Sequence, residues 1–171
     1  MLKKIIIGLI VLAFIIIQFI RPERNLSNDM SYDISGKYPI PADVATILKE
    51  ACYDCHSNLT EYPWYFHIQP VAWWMNGHIM NGKRHLNFTD YTRFPVAVQY
   101  RRFNGIIEHV EEKEMPIPSY TWLGMHKDAN LTDNQREILI NWAKVQMDTL
   151  KATYPADSLV MSRRQREQPG M

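Results

Sequence analysis

Cys52-Tyr53-Asp54-Cys55-His56 is the stretch on which the reading of this chain turns. It places two thiols two residues apart and sets an imidazole directly after the second. Each thiol can add to one of the two vinyl groups of a haem, and the adjacent histidine then lies under the ring, where a nitrogen can hold the iron. These are the only two cysteines in the chain. A thioredoxin-like redox pair would follow a strand and open a helix, and nothing strand-like precedes Cys52. A zinc site would need a second pair of ligands, and no further cysteine exists to supply it.

Upstream of the motif, Val44, Ile47, Leu48 and Ala51 recur at helical spacing behind Asp43, a residue type suited to an N-cap. This helix runs into the motif and sets both thiols on one side of a turn. Downstream, Tyr62-Pro63-Trp64-Tyr65-Phe66 reads as an irregular loop whose rings cover an edge of the porphyrin. A second helix opens after Pro70, with Val71, Trp74, Met75, His78 and Ile79 along its inward stripe. His78 on that stripe is an alternative iron ligand, although a lone histidine there is more commonly a hydrogen-bonded core residue. Lys83, Arg84 and His85 form a basic connector that can meet haem propionates or a redox partner, or simply stay solvated.

A third helix begins at Pro95 and carries Val96, Tyr100, Phe103, Ile107 and Val110 on its stripe, with His109 off it and exposed. After it comes Met115-Pro116-Ile117-Pro118-Ser119-Tyr120. A thioether is a soft, neutral ligand suited to the iron of an electron carrier, and prolines beside it stiffen the loop that presents it. Met115 is therefore the candidate distal ligand, with gap-filling in the core as the plain alternative. His126, in a loop with Met125, is a minor rival. The last helix starts at Thr132-Asp133-Asn134-Gln135, a capping box, and shows Ile138, Leu139, Trp142 and Val145 on one face.

The N-terminus has Lys3 and Lys4 before an apolar run from Ile5 to Ile20, then Arg21-Pro22-Glu23-Arg24. As a helix the run spans about 24 Å, somewhat less than a hydrocarbon core of about 30 Å, with Leu2 and snorkelling basic residues covering the difference. The expectation is an uncleaved single-pass anchor in a bacterial inner membrane, lysines inside and haem domain on the periplasmic side. The division that follows is 1–24 transmembrane anchor, 25–42 polar tether, 43–154 haem-binding domain and 155–171 disordered tail. A net charge of +1 gives no indication of nucleic acid. No stretch alternates well enough to argue for a sheet, so the fold class is all-α.

A helix leading into Cys52–His56, a Met115-Pro116 loop and a capped C-terminal helix containing Trp142 together resemble a class I cytochrome c domain. More narrowly, Cys52 to Asn58, Tyr62 to Tyr65, His85 to Thr89, Met115 to Tyr120 and Leu131 to Trp142 are similar to the small bacterial haem-binding domain family. The resemblance implies one covalent haem c on Cys52 and Cys55, His56 as proximal ligand, Met115 as distal ligand, and a cytochrome c-like helical domain. The aromatic, histidine-rich insertion between His56 and Met115 departs from a compact respiratory cytochrome and keeps His78 in contention.

The expected function is that of a membrane-anchored monohaem cytochrome. It passes single electrons to an unidentified redox partner protein and is not an enzyme. The alternatives are a peroxidase-like enzyme with His78 or His126 as acid–base group, and a gas or redox sensor with a displaceable Met115.

Overall fold

The computed structural model describes residues 1–122 and 126–162 of the 171. Its elements are α1 (Leu2–Ile17), a 3-10 turn (Ile34–Gly36), α2 (Ala42–Ala51), α3 (Tyr53–His56), a 3-10 turn (Trp64–His67), α4 (Val71–His85), α5 (Val96–Glu111), α6 (Pro118–Thr121), α7 (Asp133–Thr153) and a final 3-10 turn (Ala156–Leu159). Among the described residues there is no strand, only the isolated bridges Leu26–Leu59 and Tyr32–Asp90. The chain is all-α.

The core lies between α5 and α7. Phe103 meets Trp142 edge-on at 5.6 Å and Tyr38 at 4.9 Å, while Tyr91 tilts against it at 5.2 Å. Trp142 is fixed further by its indole N–H, which donates to the Pro39 carbonyl at 2.9 Å. The capping box of α7 is present in full: Thr132 Oγ1 accepts from the Gln135 N–H, and Gln135 Oε1 accepts from the Thr132 N–H at 2.9 Å. The apolar face of α7 is rotated slightly from expectation, for Val145 is exposed and Ala143 and Gln146 are buried. In α2 the cap position is Pro41, and Asp43 sits within the first turn.

Residues 25–42 are not a solvated tether. Ile34 is fully buried and Tyr38 nearly so, both inside the main core cluster. The backbone is tied down as well: Ile34 N–H donates to Phe88 O at 2.9 Å, and Ser27 N–H to Asn58 O at 2.8 Å. Polar composition suggested a linker, but two apolar side chains suffice to draw the segment in when its backbone groups find partners.

The anchor expectation also changes. No helix among the described residues is long and apolar enough to cross a membrane. α1 stops after 16 residues at Ile17, about 24 Å of helix, and the apolar run continues as a turn fastened to the folded domain. Gln18 bonds the backbone of Gln69 in both directions, at 2.9 and 3.2 Å. Ile20 O accepts from Gln69 Nε2 at 2.8 Å and from Trp73 Nε1 at 3.0 Å, and Arg21 donates to His67 O at 2.6 Å. Hydropathy alone weighed Phe19 and Ile20 as membrane residues; their backbone belongs to the turn that meets α4. The placement as a single-pass inner-membrane protein with a periplasmic haem domain is therefore withdrawn.

Ile34→Ala separates the two readings of residues 25–42. It should lower the free energy of unfolding by about 2–5 kcal/mol in a urea titration, as buried Ile truncations do. A change within about 0.5 kcal/mol, typical of a solvated position, would restore the tether.

Candidate haem site

The Cys-x-x-Cys-His motif occupies α3, a single turn entered directly from α2 through Cys52. Two hydrogen bonds hold it against the segment that leaves α4. His56 Nδ1 donates to Leu86 O at 2.9 Å, and Phe88 N–H donates to His56 O at 2.7 Å. Because Leu86 offers only an acceptor, the proton must sit on Nδ1, which leaves Nε2 with the free lone pair. Burial lowers the His56 pKa, opposed by the Leu86 and Gly82 carbonyls, so the ring is neutral near pH 7. A neutral, oriented imidazole is the form that ligates a metal.

α3 can approach α4 this closely because residue 82 has no side chain. A Cβ on Gly82 would lie 2.7 Å from the Cys55 carbonyl oxygen and 3.4 Å from the His56 ring. Both cysteines are free thiols. Burial, with a smaller push from Cys55, raises Cys52 to about 12; burial and then Asp54 raise Cys55 to about 11. A dithiol redox centre depends on a depressed thiol pKa, and here both move the other way.

Cys52 and His56 open onto a cavity of about 960 Å³, at the upper end of the about 300–1,000 Å³ usual for ligand sites. Met115 lines the same cavity, as do Leu48, Leu86, Phe88 and Leu139. One long wall is α5, which contributes Val98, Arg101, Arg102, Gly105, Ile106 and His109. Gly105 stands in the middle of this wall with nothing within 4 Å of where a Cβ would be, leaving bare helix backbone for a flat group to lie against. No Asp, Glu or Lys is among the described lining residues, and Arg101 and Arg102 carry the fixed charge. Arg102 is 6% exposed, and its Nε and Nη1 are buried without a hydrogen-bond partner. A largely apolar slot with an imidazole, a thioether, a thiol and a buried cation whose donors are partly unpaired suits a flat, apolar, dianionic ring carrying a metal, which is the chemistry of haem.

The Met115 loop is fastened at both ends. Met115 N–H donates to His109 O at 3.1 Å, and Arg136 donates from α7 to Met115 O at 2.7 Å. At the other end, Tyr120 OH donates to Asp54 Oδ2 at 2.7 Å. Asp54 lies between the two cysteines, so the methionine loop is tied into the haem motif itself. Burial and the Asp54 carboxylate both hold the Tyr120 pKa well above the usual tyrosine range.

Other expectations fall differently. Cys55 is half-buried in the same turn as Cys52 and His56 but does not line the cavity. His78 packs edge-on against Trp74 at 4.6 Å, away from the lining. His126 stacks on Tyr120 at 4.1 Å and shares a 2.5 Å hydrogen bond with Tyr65, also outside it. Tyr62, Trp64, Tyr65 and Phe66 do not edge the cavity; Phe66 is buried under Tyr62 and Trp64 is exposed. Of the basic connector only His85 reaches the lining, since Lys83 bonds Asn25. His109 is half-exposed and paired with Glu114 at 2.7 Å, yet its ring contributes to the wall. The tail, expected to be disordered from residue 155, supplies Leu159, Val160 and Met161 to the cavity. Met125 and residues 163–171 lie outside the described residues.

Sequence reasoning missed Arg102, Gly105, Asp54, Tyr120 and Arg136. Arg102 and Gly105 had a readable signal, being three residues apart on one face of α5 with Val98 and His109. The other three act through contacts across 20 or more positions, for which no local pattern exists.

The sequence matches the model of the haem-binding domain family over residues 12–145, more than three quarters of the chain. The chain belongs to that family, and the matched span holds Cys52, Cys55, His56, Met115 and the α5 wall. No curated protein and no solved structure matches the chain. The likeness to class I cytochromes c rests on the motif residues alone.

Gly82→Ala should force α4 away from α3 and cost about 1–3 kcal/mol, the range for overpacking a tight contact, with a matching loss of haem incorporation. Gly77→Ala, in the same helix but in open space, should be neutral or stabilising by up to about 1 kcal/mol. Equal behaviour of the two variants in thermal melts would contradict the close approach.

Proposed function

We propose that this haem-binding domain is a monohaem c-type electron carrier, with haem attached through Cys52 and Cys55 and its iron held by His56 and Met115. The observation that carries the reading is that Cys52, His56 and Met115, up to 63 positions apart in the chain, line one cavity. Attachment balances without a further reagent. Each S–H would add across a vinyl C=C of the haem, the sulfur bonding one carbon and the proton going to the other.

Bound haem supplies the one-electron couple. The chain's part is to hold His56 and Met115 still, which would keep rearrangement between the two oxidation states small. Leu86 fixes the His56 ring, and Arg136 with Tyr120 fixes the Met115 loop. Held by both His56 and Met115, the haem would offer no free position to a substrate, and the chemistry it would supply is one-electron transfer. Neither His78 nor His126, the acid–base groups named for a peroxidase-like alternative, lines the cavity, which supports the carrier reading. An electron-transfer partner protein is part of this proposal, and the partly open cavity rim beside Cys52 is where it would approach.

Visible spectra of the matured protein test the axial pair. The wild type should be low-spin in both oxidation states, with the weak far-red ferric band of a sulfur–iron bond. Met115→Ala should keep covalent haem but become high-spin and bind carbon monoxide rapidly when reduced. An unchanged low-spin spectrum in that variant would move the distal position to His109 or His85, the other lining histidines. His56→Ala should abolish stable holoprotein, and its survival with an unaltered spectrum would overturn the proximal assignment.

A further inference from the structure

We propose that Arg102 is the anchor for a haem propionate, an assignment that rests on the haem reading above. Arg102 projects from the second turn of α5 into the apolar interior. Its guanidinium lies 3.8 Å over the Phe94 ring and 5.9 Å from the Tyr91 ring, and it is 6% exposed. Two of its nitrogens are buried with no hydrogen-bond partner. The nearest acid, Asp90, influences it electrostatically but is committed to Arg93 at 3.0 Å. A buried cation with two unpaired donors is costly and is retained where something pairs with it.

The position of Arg102 identifies that partner. It lines the same cavity as His56 and Met115, and the lining holds no carboxylate among the described residues. The occupant must therefore bring the negative charge. Along α5, Arg102 lies about 10 Å from the His109 turn to which Met115 is tied, with Gly105 between them. A ring lying on Gly105 with its iron towards Met115 would direct a carboxylate-bearing edge towards Arg102. The planar fork matches a carboxylate bidentately, and the Phe94 face keeps it in plane. Lys83, Arg84 and His85, the basic cluster evident in the sequence, are not so placed: Lys83 bonds Asn25, and Arg84 is exposed outside the lining.

The test titrates haem, and haem dimethyl ester in which both propionates are capped, into the full-length haem-free chain. The wild type should bind the ester at least about tenfold more weakly, the worth of one charge-assisted hydrogen bond. Arg102→Gln should weaken haem by a similar factor and leave the ester unaffected. Arg102→Lys should recover part of the loss, and Arg84→Gln should change neither ligand. In the matured holoprotein, Arg102→Gln should also lower the midpoint potential, because the uncompensated propionate then favours ferric iron. Equal affinity of the wild type for haem and ester would overturn the assignment without any variant, as would equal loss of both porphyrins in Arg102→Gln. Failure of the wild type to bind either porphyrin would overturn the haem reading itself.

Discussion

The hydrogen bond from His56 Nδ1 to the Leu86 carbonyl is the constraint from which the site is built. It selects the tautomer, orients the ring and joins the Cys-x-x-Cys-His turn to the end of α4. Its reciprocal, Phe88 N–H to His56 O, closes a two-point clamp at 2.7 Å. The clamp closes only because α4 presents Gly82 to the Cys55 carbonyl. Phe88 then passes the alignment into the core, stacking on Tyr91 at 6.5 Å, which in turn meets Phe103 on α5. The His56 ring and the hydrophobic core are thus set by one chain of contacts.

A second set of ties brings the methionine to the same place. Arg136 reaches from α7 to the Met115 and Val110 carbonyls, while Tyr120 reaches to Asp54 inside the haem motif. The loop is therefore referenced to both walls of the cavity. The cavity between these ties is largely apolar, its fixed charges among the described lining residues being Arg101 and Arg102 on α5, and two buried nitrogens of Arg102 have no partner. An imidazole and a thioether from distant parts of the chain, with a buried cation lining the same cavity, fit a ring that is itself charged at its edge.

How much of this was legible in the sequence depended on the range of the interaction. The Cys52–His56 turn, the Thr132–Gln135 capping box and the helices α5 and α7 rest on local patterns and were readable. Their buried faces were so only in part, since α5 buries Ala97, Val98, Arg102 and Ile106 beside Phe103 and Val110, and α7 leaves Val145 exposed. That Met115 belongs to the site cavity was readable from its setting beside prolines. Polar composition around Ile34 and Tyr38 hid two core residues, because their burial depends on partners 50 or more positions away. The apolar run from Ile5 to Ile20 carried the opposite error. Its hydropathy was read as an anchor, whereas the helix ends at Ile17 and the residues after it are bonded to Gln69 and Trp73. With the membrane placement gone, the proposal of covalent haem no longer leans on export and stands on the motif and the cavity.

Peptide-resolved mass spectrometry of the denatured holoprotein, matured in a host that attaches haem c and extracted with acidified organic solvent, tests the central proposal most directly. The account predicts that the peptide carrying Cys52 to His56 retains the mass of one haem and that neither Cys52 nor Cys55 reacts with an alkylating reagent. Haem lost to the solvent with both thiols free to alkylate would contradict covalent attachment and leave a domain that only binds haem.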